Sequence, residues 1–151
     1  MAELFADVEI TKPDGEKVLG GELLKDKIVG LYFTASWCPP CQKFTPKLKK
    51  LHDKLVKLGK PFTVIVITKD KEEELFEEYY EEKMNTFNYF EFGNPKHQEL
   101  IEKYEAKTIP CLKIIKSDGT VAVNDGVTDV REKSDDNPED LFDEWEAFAT
   151  M

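Results

Sequence analysis

Two short apolar runs stand out along the chain, and neither alternates between apolar and polar positions. They are Ile28-Val29-Gly30-Leu31-Tyr32-Phe33 and Phe62-Thr63-Val64-Ile65-Val66-Ile67. A continuous apolar run is typical of a strand in a sheet with helices on both faces, because both sides of the strand are then buried. The two runs therefore predict central strands of one sheet.

Four other segments carry apolar residues at helical spacing, each with polar residues on the opposite side. The predicted buried stripes are Phe44, Leu48, Leu51, Leu55 and Leu58; Leu75, Phe76, Tyr79, Tyr80 and Met84; Leu100, Ile101 and Tyr104; and Leu141, Phe142, Trp145 and Phe148. Each stripe predicts an amphipathic helix that packs on the sheet.

Residues that favour helix ends support these four segments. Gly59 ends the first helix, and Asn94-Pro95 and Asn137-Pro138 open the third and fourth. Asp70, followed three residues later by Glu73, predicts a capping arrangement at the start of the second helix.

A strand pair is predicted near the C-terminal third of the chain. Cys111 to Ile115 and Val121 to Val123 flank Asp118-Gly119, whose residues tolerate the positive φ angles of a hairpin turn. With an N-terminal strand or hairpin, the order becomes β-α-β-α, a short helix, β-β and α. This alternation predicts a single α/β domain over residues 1–151.

Composition limits the classes of protein to consider. The 151 residues are 40% hydrophobic and carry 21 Lys plus Arg against 31 Asp plus Glu, a net charge of −10. Such a chain can form a core, but it is a poor match to nucleic acid or anionic membranes. The acidic N-terminus does not read as a signal peptide, and no run of about 20 apolar residues predicts a membrane span.

Two of the three cysteines lie in Cys38-Pro39-Pro40-Cys41, after the first apolar run and at the start of a predicted helix. This spacing in this context is typical of a redox pair. The free N–H groups and dipole of a helix N-terminus stabilise a thiolate, so Cys38 is the predicted nucleophile and Cys41 the resolving thiol. Three cysteines without a secreted disulfide framework favour a reducing compartment, the cytoplasm or also the nucleus.

Zinc ligation is the competing interpretation of this pair. A closed zinc site takes about four ligands, and only Cys111, His52 and His97 remain to complete it. Both histidines are predicted on polar helix faces, in surface roles. We therefore expect neither a metal nor a cofactor, and a purely structural disulfide is disfavoured by the reducing compartment.

The segment Phe33-Thr34-Ala35-Ser36-Trp37-Cys38-Pro39-Pro40-Cys41, followed by Phe44-Thr45-Pro46, resembles the active-site segment of the tryparedoxin and nucleoredoxin branch of the thioredoxin superfamily. The resemblance runs from Lys27 to Phe148. It implies a thioredoxin fold, in which a central mixed β-sheet is flanked by helices on both faces.

The same resemblance implies which residues meet a substrate. Thr108-Ile109-Pro110 matches the family loop whose cis proline faces the cysteine pair and whose backbone holds the substrate chain. Trp37 would shield one side of the motif and offer an apolar surface. The implied substrate-binding residues are Trp37, Pro39, Pro40, Ile109 and Pro110.

Three positions deserve comparison with the family pattern. Tyr32 stands where thioredoxins proper carry a buried aspartate that assists proton transfer, as it does in tryparedoxin-like sequences. Lys69-Asp70 replaces a Trp-Asp pair implicated in partner contact, which argues against trypanothione as reductant. Cys111 follows Pro110 and is interpreted either as a core thiol or as a site of glutathionylation or disulfide formation under oxidant.

These residues predict a thiol–disulfide oxidoreductase that reduces protein disulfides or passes electrons to a thiol peroxidase such as a peroxiredoxin. The electrons would come from a dithiol, glutathione or thioredoxin reductase. The alternative hypothesis is a redox-sensitive binding or signalling adaptor of nucleoredoxin type with little turnover.

Overall fold

The fold is built on one mixed sheet, seen in a computed structural model that describes residues 5–151. Predictions for the first four residues lie outside the described residues. The strands are β1 (Glu9–Thr11), β2 (Lys17–Leu19), β3 (Ile28–Thr34), β4 (Phe62–Thr68), β5 (Asn88–Tyr89), β6 (Cys111–Ile115) and β7 (Val121–Val123). Their spatial order is β2-β1-β5-β4-β3-β6-β7. β3, β4 and β5 run parallel, and the other neighbouring strands pair antiparallel.

Helices cover both faces of this sheet, as the resemblance implied. They are α1 (Gly20–Leu23), α2 (Pro39–Lys57), α3 (Glu73–Lys83), α4 (Lys96–Lys103), α5 (Gly126–Lys133) and α6 (Pro138–Ala149). Buried residues of α2, α3, α5 and α6 form one core cluster with the sheet, and those of α4 and the α1 region form a second. Within residues 5–151, no helix has the length and apolar character needed to cross a membrane.

The two predicted central strands are confirmed, because β3 and β4 are buried along their whole length. Alternate side chains enter opposite cores: Tyr32 joins the first cluster, and Leu31 and Phe33 join the second. Thr34 pairs with Thr68 at the end of the parallel ladder. Both strands therefore leave the sheet at the same edge, and that edge carries the cysteine loop.

The predicted helices are present, but the burial predicted for three stripe residues is wrong. Leu58, Leu75 and Phe148 are exposed, whereas the other predicted stripe residues are buried or partly buried. Leu58 is the C-cap of α2, Leu75 lies in the first turn of α3, and Phe148 lies in the last turn of α6. At the ends of a helix fewer neighbouring elements cover a side chain, so periodicity there does not ensure burial.

The predicted cap of α3 is also wrong. The helix is preceded by Glu72, whose side chain makes no capping hydrogen bond. The carboxylate of Asp70 instead accepts hydrogen bonds from Ser36 and Thr68. Buried donors that lack a partner cost more free energy than the exposed N–H groups of a helix end. The carboxylate therefore bonds the buried donors.

Three elements were absent from the sequence prediction. α1 and β5 are too short to show a period, since they contain 4 and 2 residues. α5 begins after Asp125, whose side chain accepts a hydrogen bond from the Thr128 N–H, a normal helix N-cap. Gly126 opens α5 where it approaches the Leu112 side chain, so that an added Cβ would lie 2.9 Å from Leu112 Cγ. The hairpin of β6 and β7 is confirmed, with Gly119 at φ 87°.

Candidate active site

The cysteine pair lies at the N-terminus of α2. β3 ends at Thr34, and Cys38 is the N-cap of the helix in an extended conformation. Pro39 and Pro40 fill the first helical positions, where backbone N–H groups have no partner within the helix to lose. The chain therefore enters helical geometry immediately after Cys38, as predicted.

The two sulfurs of this pair are within bonding distance and form a disulfide, with the Cα atoms 5.2 Å apart. Cys38 is 5% exposed and Cys41 is 0% exposed. The Cys41 N–H donates a hydrogen bond of 3.3 Å to Cys38 Sγ, and the first turn of α2 contains no acidic residue. Both features favour negative charge on the Cys38 sulfur once the pair is reduced.

The loop before β6 faces the cysteines. The Ile109–Pro110 peptide bond is cis, as the resemblance implied. Ile109 packs against Ala35, Cys38 and Cys41, and its carbonyl oxygen lies 3.7 Å from Cys38 Sγ. The structure thus brings Ile109 and Pro110 to the redox pair from a different part of the chain.

The other three predicted substrate-binding residues are exposed around the same helix end. Trp37 is 61% exposed, and Pro39 and Pro40 are exposed at the first turn of α2. An exposed tryptophan directly before a barely exposed cysteine forms an apolar surface beside the reactive sulfur. These three side chains therefore make up the solvent-facing rim of the site.

Asp70 anchors the cysteine loop, a role that the sequence analysis missed. Its carboxylate accepts hydrogen bonds from the Ser36 N–H at 3.1 Å, the Ser36 hydroxyl at 2.6 Å and the Thr68 hydroxyl at 2.8 Å. Gln42 Nε2 donates to the Ser36 carbonyl at 2.7 Å. The backbone leading to Trp37 and Cys38 is therefore held from both β4 and α2.

A sequence signal for this anchor exists. Thr34 and Thr68 are register partners at the ends of parallel strands, and Ser36 and Asp70 each follow two residues later. Polar residues at matched positions after neighbouring parallel strands reach the same edge of the sheet. Once β3 and β4 are predicted to be adjacent, the two residues can be paired.

Four buried hydroxyl groups lie under Cys41. Thr45 Oγ1 contacts the Cys41 carbonyl at 2.8 Å, Tyr32 Oη at 2.6 Å and Tyr79 Oη at 2.5 Å, and Tyr79 Oη contacts Thr34 Oγ1 at 2.8 Å. A carbonyl can only accept, so Thr45 donates its single proton to Cys41 and accepts from both tyrosines. Thr34 then donates to Tyr79, and every hydroxyl proton in the cluster has a defined direction.

The two tyrosines of this cluster are buried. Burial raises the pKa of Tyr32 and the pKa of Tyr79 above the ordinary value of 10.0. Both phenols therefore keep their protons near neutral pH. Their role is to hold the first turn of α2 around Cys41 and not to accept its proton.

Cys111 is half-buried at the start of β6, next to Phe33 in the sheet register. It packs against the second core cluster, and burial raises the pKa of its thiol. A raised pKa disfavours the thiolate that nucleophilic attack and oxidation require. These observations favour the interpretation of Cys111 as a core thiol.

The prediction of surface histidines is wrong, since His52 and His97 are both buried. The His52 ring packs against Phe62 and Phe87 while Nδ1 contacts Asp53 at 2.8 Å. His97 Nδ1 accepts from the Thr68 N–H at 3.1 Å, and Nε2 lies 3.1 Å and 3.0 Å from the carbonyl oxygens of Phe90 and Glu91. Buried polar atoms need such partners, and a simple apolar–polar pattern does not reveal them.

The described part of the chain offers no candidate metal site. No group of three or more His, Cys, Asp or Glu side chains in residues 5–151 is arranged to hold a metal ion. The ring nitrogens of His97 are engaged by backbone groups, and those of His52 include one held by Asp53. These contacts give both histidines structural partners other than the cysteines.

Comparison with known proteins shows the family of the chain. A family model described as Thioredoxin-like matches residues 26–121. The chain belongs to the thioredoxin-like family. Among solved structures, this thioredoxin-like protein is similar to a thioredoxin from Wuchereria bancrofti, with 35% identity, a TM-score of 0.80, and coverage of 97% of this chain and 99% of that one. It is also similar to tryparedoxin from Trypanosoma brucei, with 31% identity, a TM-score of 0.75, and coverage of 87% and 89%.

Curated relatives place the thioredoxin-like chain near nucleoredoxins as well. It is 35% identical over 106 residues to probable nucleoredoxin 1 from Arabidopsis thaliana, which covers 70% of this chain. The chain spans only 18% of the length of that relative. The similarity therefore concerns one part of a longer protein.

Proposed function

We propose that this thioredoxin-like protein reduces disulfide bonds in other proteins by cycling Cys38 and Cys41 between dithiol and disulfide. The observation that carries the proposal is the asymmetry of the pair at the start of α2. Cys38 is 5% exposed and accepts the Cys41 N–H, whereas Cys41 is 0% exposed. Cys38 is therefore the one residue of the pair that keeps some exposure, and Cys41 is fully buried.

In the first step, the Cys38 thiolate attacks one sulfur of the substrate disulfide. A bond forms between Cys38 Sγ and that sulfur, the substrate S–S bond breaks, and the second substrate sulfur leaves as a thiolate. Trp37, Pro39 and Pro40 line the approach, and the Ile109 carbonyl lies 3.7 Å from the attacking atom. The backbone at Ile109 and Pro110 is thus beside the position of the mixed disulfide.

In the second step, the Cys41 thiolate attacks Cys38 Sγ. The Cys38–Cys41 bond forms, the mixed disulfide breaks, and the first substrate sulfur leaves, so that two electrons have passed from the pair to the substrate. The hydrogen bond from Thr45 to the Cys41 carbonyl holds the resolving residue in place. An external dithiol, glutathione or thioredoxin reductase returns the two electrons.

The acceptors that fit this chemistry are protein disulfides, including that of a thiol peroxidase such as a peroxiredoxin. A dithiol that must be regenerated works in a reducing compartment, which favours the cytoplasm or the nucleus. A free half-buried thiol at Cys111 is in keeping with such a compartment.

The test is the dithiothreitol-driven reduction of insulin disulfides. We expect wild-type protein to accelerate the reaction, Cys38→Ser to fall to the uncatalysed rate, and Cys41→Ser to accumulate mixed disulfides visible by mass spectrometry. Cys111→Ser is the matched control, because it removes a thiol of the same chain without touching the pair, and should keep most of the rate.

Two results would contradict the proposal. Full activity in Cys38→Ser would remove the assigned nucleophile. A folded and fully reduced wild-type protein that does not accelerate the reaction would instead favour a redox-sensitive adaptor, whose partners the Cys41→Ser variant could capture.

A further inference from the structure

A surface groove includes Trp37, the residue before Cys38, in its lining. Its volume is about 580 Å³. Thr68, Asp70 and His97, all buried, contribute to its lining. The groove is also lined by Trp37, Phe92, Pro95, Ile101, Lys69 and Lys71. Apolar side chains and two lysines therefore share one surface that includes the residue before Cys38.

The two lysines are free to meet an outside partner. Lys71 is exposed and Lys69 is partly exposed. Within residues 5–151, neither ammonium group lies within 4.0 Å of a carboxylate. Asp70 is the one acidic residue in the groove lining, and its carboxylate already accepts from Ser36 and Thr68.

This local charge runs against the charge of the whole chain, which is −10. A second groove on the other side of Phe92 is lined by Asp14, Glu73, Glu77, Glu81 and Glu91. Of the charged side chains that line the groove beside Trp37, Lys69 and Lys71 have solvent exposure, whereas Asp70 is buried. A ligand in this groove therefore meets the two lysines directly.

The position of the groove sets which part of a substrate can occupy it. An extended chain spans about 3.3–3.6 Å per residue. A substrate whose disulfide lies at Cys38 can place residues within a few positions of its cysteine against Trp37 and then Lys69. The segment that enters the groove is therefore the one next to the reacting disulfide.

We propose that this groove selects protein disulfides that are flanked by acidic residues. The substrate carboxylates pair with Lys69 and Lys71, and an apolar side chain of the same segment packs between Trp37 and Phe92. This rests on the function proposed above and specifies its substrate class. The apolar contact supplies affinity, and the ion pairs supply discrimination between acidic and basic sequences.

The test uses three short peptides that share one internal disulfide and differ in two residues next to a cysteine, which are both Glu, both Gln or both Lys. The second-order rate of reduction by the pre-reduced full-length protein is measured for each peptide. We expect the Glu peptide to react roughly 5- to 10-fold faster than the Lys peptide, the size expected for two exposed ion pairs.

Charge reversal in the protein supplies the decisive comparison. In the variant Lys69→Glu/Lys71→Glu, the Lys peptide should become a faster substrate than the Glu peptide. Lys69→Gln/Lys71→Gln should make the three peptides nearly equal, and it serves if the double reversal does not fold. The control is Lys25→Glu. Lys25 is an exposed lysine before β3, at the end of that strand opposite to the cysteine loop, and this variant should keep the wild-type order of the peptides.

The outcomes separate the two proposals. If wild-type protein does not reduce the Gln peptide, the proposed function fails. If it reduces all three peptides at similar rates, or if charge reversal leaves their order unchanged, the groove proposal fails alone. If the double reversal lowered the rate of glutathione disulfide reduction without changing the order of the peptides, the groove proposal would also be overturned, because the lysines would then bind a small anionic disulfide.

Discussion

A single carboxylate, that of Asp70, holds the loop that presents the reactive cysteine. It accepts two hydrogen bonds from the backbone and hydroxyl of Ser36 and one from Thr68. The family comparison pointed to this position as a partner contact. In this structure the carboxylate is buried and bonded to its own chain, so its main role is to hold the loop in place.

We expect Asp70→Asn to lower both stability and activity. The amide can replace only one carboxylate oxygen and turns an NH₂ group toward donors, so the free energy of unfolding should fall by about 1–3 kcal/mol. Urea unfolding and insulin reduction would measure the two effects. Asp118→Asn is the control, since Asp118 accepts from Thr120 in an exposed hairpin turn and should cost less. Equal losses in both variants would contradict the anchoring role.

His97 makes the stability of the protein depend on pH. Burial lowers the pKa of His97 below its ordinary value of 6.5, and Nδ1 must stay unprotonated to accept the Thr68 N–H. The carbonyl oxygens of Phe90 and Glu91 face the other nitrogen and oppose the shift. The unfolded chain therefore binds a proton more readily than the folded chain.

The sign of the effect follows from linkage. The stabilisation by neutral His97 is complete above pH 6.5 and is lost as the pH falls below 6.5 toward the folded-state pKa. Urea unfolding between pH 7.5 and pH 5 should show a steeper loss in wild type than in His97→Asn, which keeps an acceptor but does not titrate. His52, whose pKa burial also lowers, remains in both proteins. Parallel curves for the two proteins would contradict the prediction.

Three elements meet at the hydroxyl cluster below Cys41. Thr34 lies in β3, Thr45 in α2 and Tyr79 in α3, and their hydrogen bonds form a chain that ends when Thr45 donates to the Cys41 carbonyl. The cluster connects the sheet, the cysteine helix and its neighbour through groups that do not change charge near neutral pH. It therefore sets the position of Cys41 without adding a titration to the reaction.

We expect Tyr79→Phe to slow disulfide exchange as well as destabilise the fold. The change removes the acceptor for buried Thr34 and one donor to Thr45, which should cost about 1–3 kcal/mol of unfolding free energy. The control is Tyr80→Phe, which removes a buried hydrogen bond to the Phe87 carbonyl at a similar cost but away from Cys41. Insulin reduction at matched folded concentrations should fall only for Tyr79→Phe, and equal rates in the two variants would contradict the link to Cys41.

The elements that sequence predicted well are those with a strong hydrophobic period. β3 and β4 are apolar on both sides, and α2 has a regular stripe from Phe44 to Leu55, so their places followed from pattern alone. β5 has two residues and α1 has four, so neither element is long enough to show a repeating hydrophobic pattern. The cysteine pair and the cis proline followed from the motif and its family resemblance.

The supporting contacts of the site were harder to predict. The cap role expected for Asp70 and the surface role expected for His97 both failed, because each residue is polar in sequence but finds buried partners in three dimensions. Those partners lie 34 and 29 residues away. Contacts at that separation depend on strand order, which local patterns do not contain.

At the scale of the whole molecule, charge is sorted by position. The exposed lysines of α2 follow the cysteine pair along the helix, whereas the exposed faces of α3 and α6 are acidic. The groove lined by Trp37 places Lys69 and Lys71 next to the cysteine loop of this acidic protein.

The two tryptophans provide an optical readout of that centre. Trp37 is 61% exposed beside Cys38, while Trp145 is 0% exposed and donates its indole N–H to Asp129 at 3.0 Å. A water-soluble quencher such as iodide therefore reaches the first fluorophore and spares the second. Protection of the quenchable emission would report a molecule seated beside the cysteines, with the unquenched emission of Trp145 as an internal reference, and no dye would have to be attached.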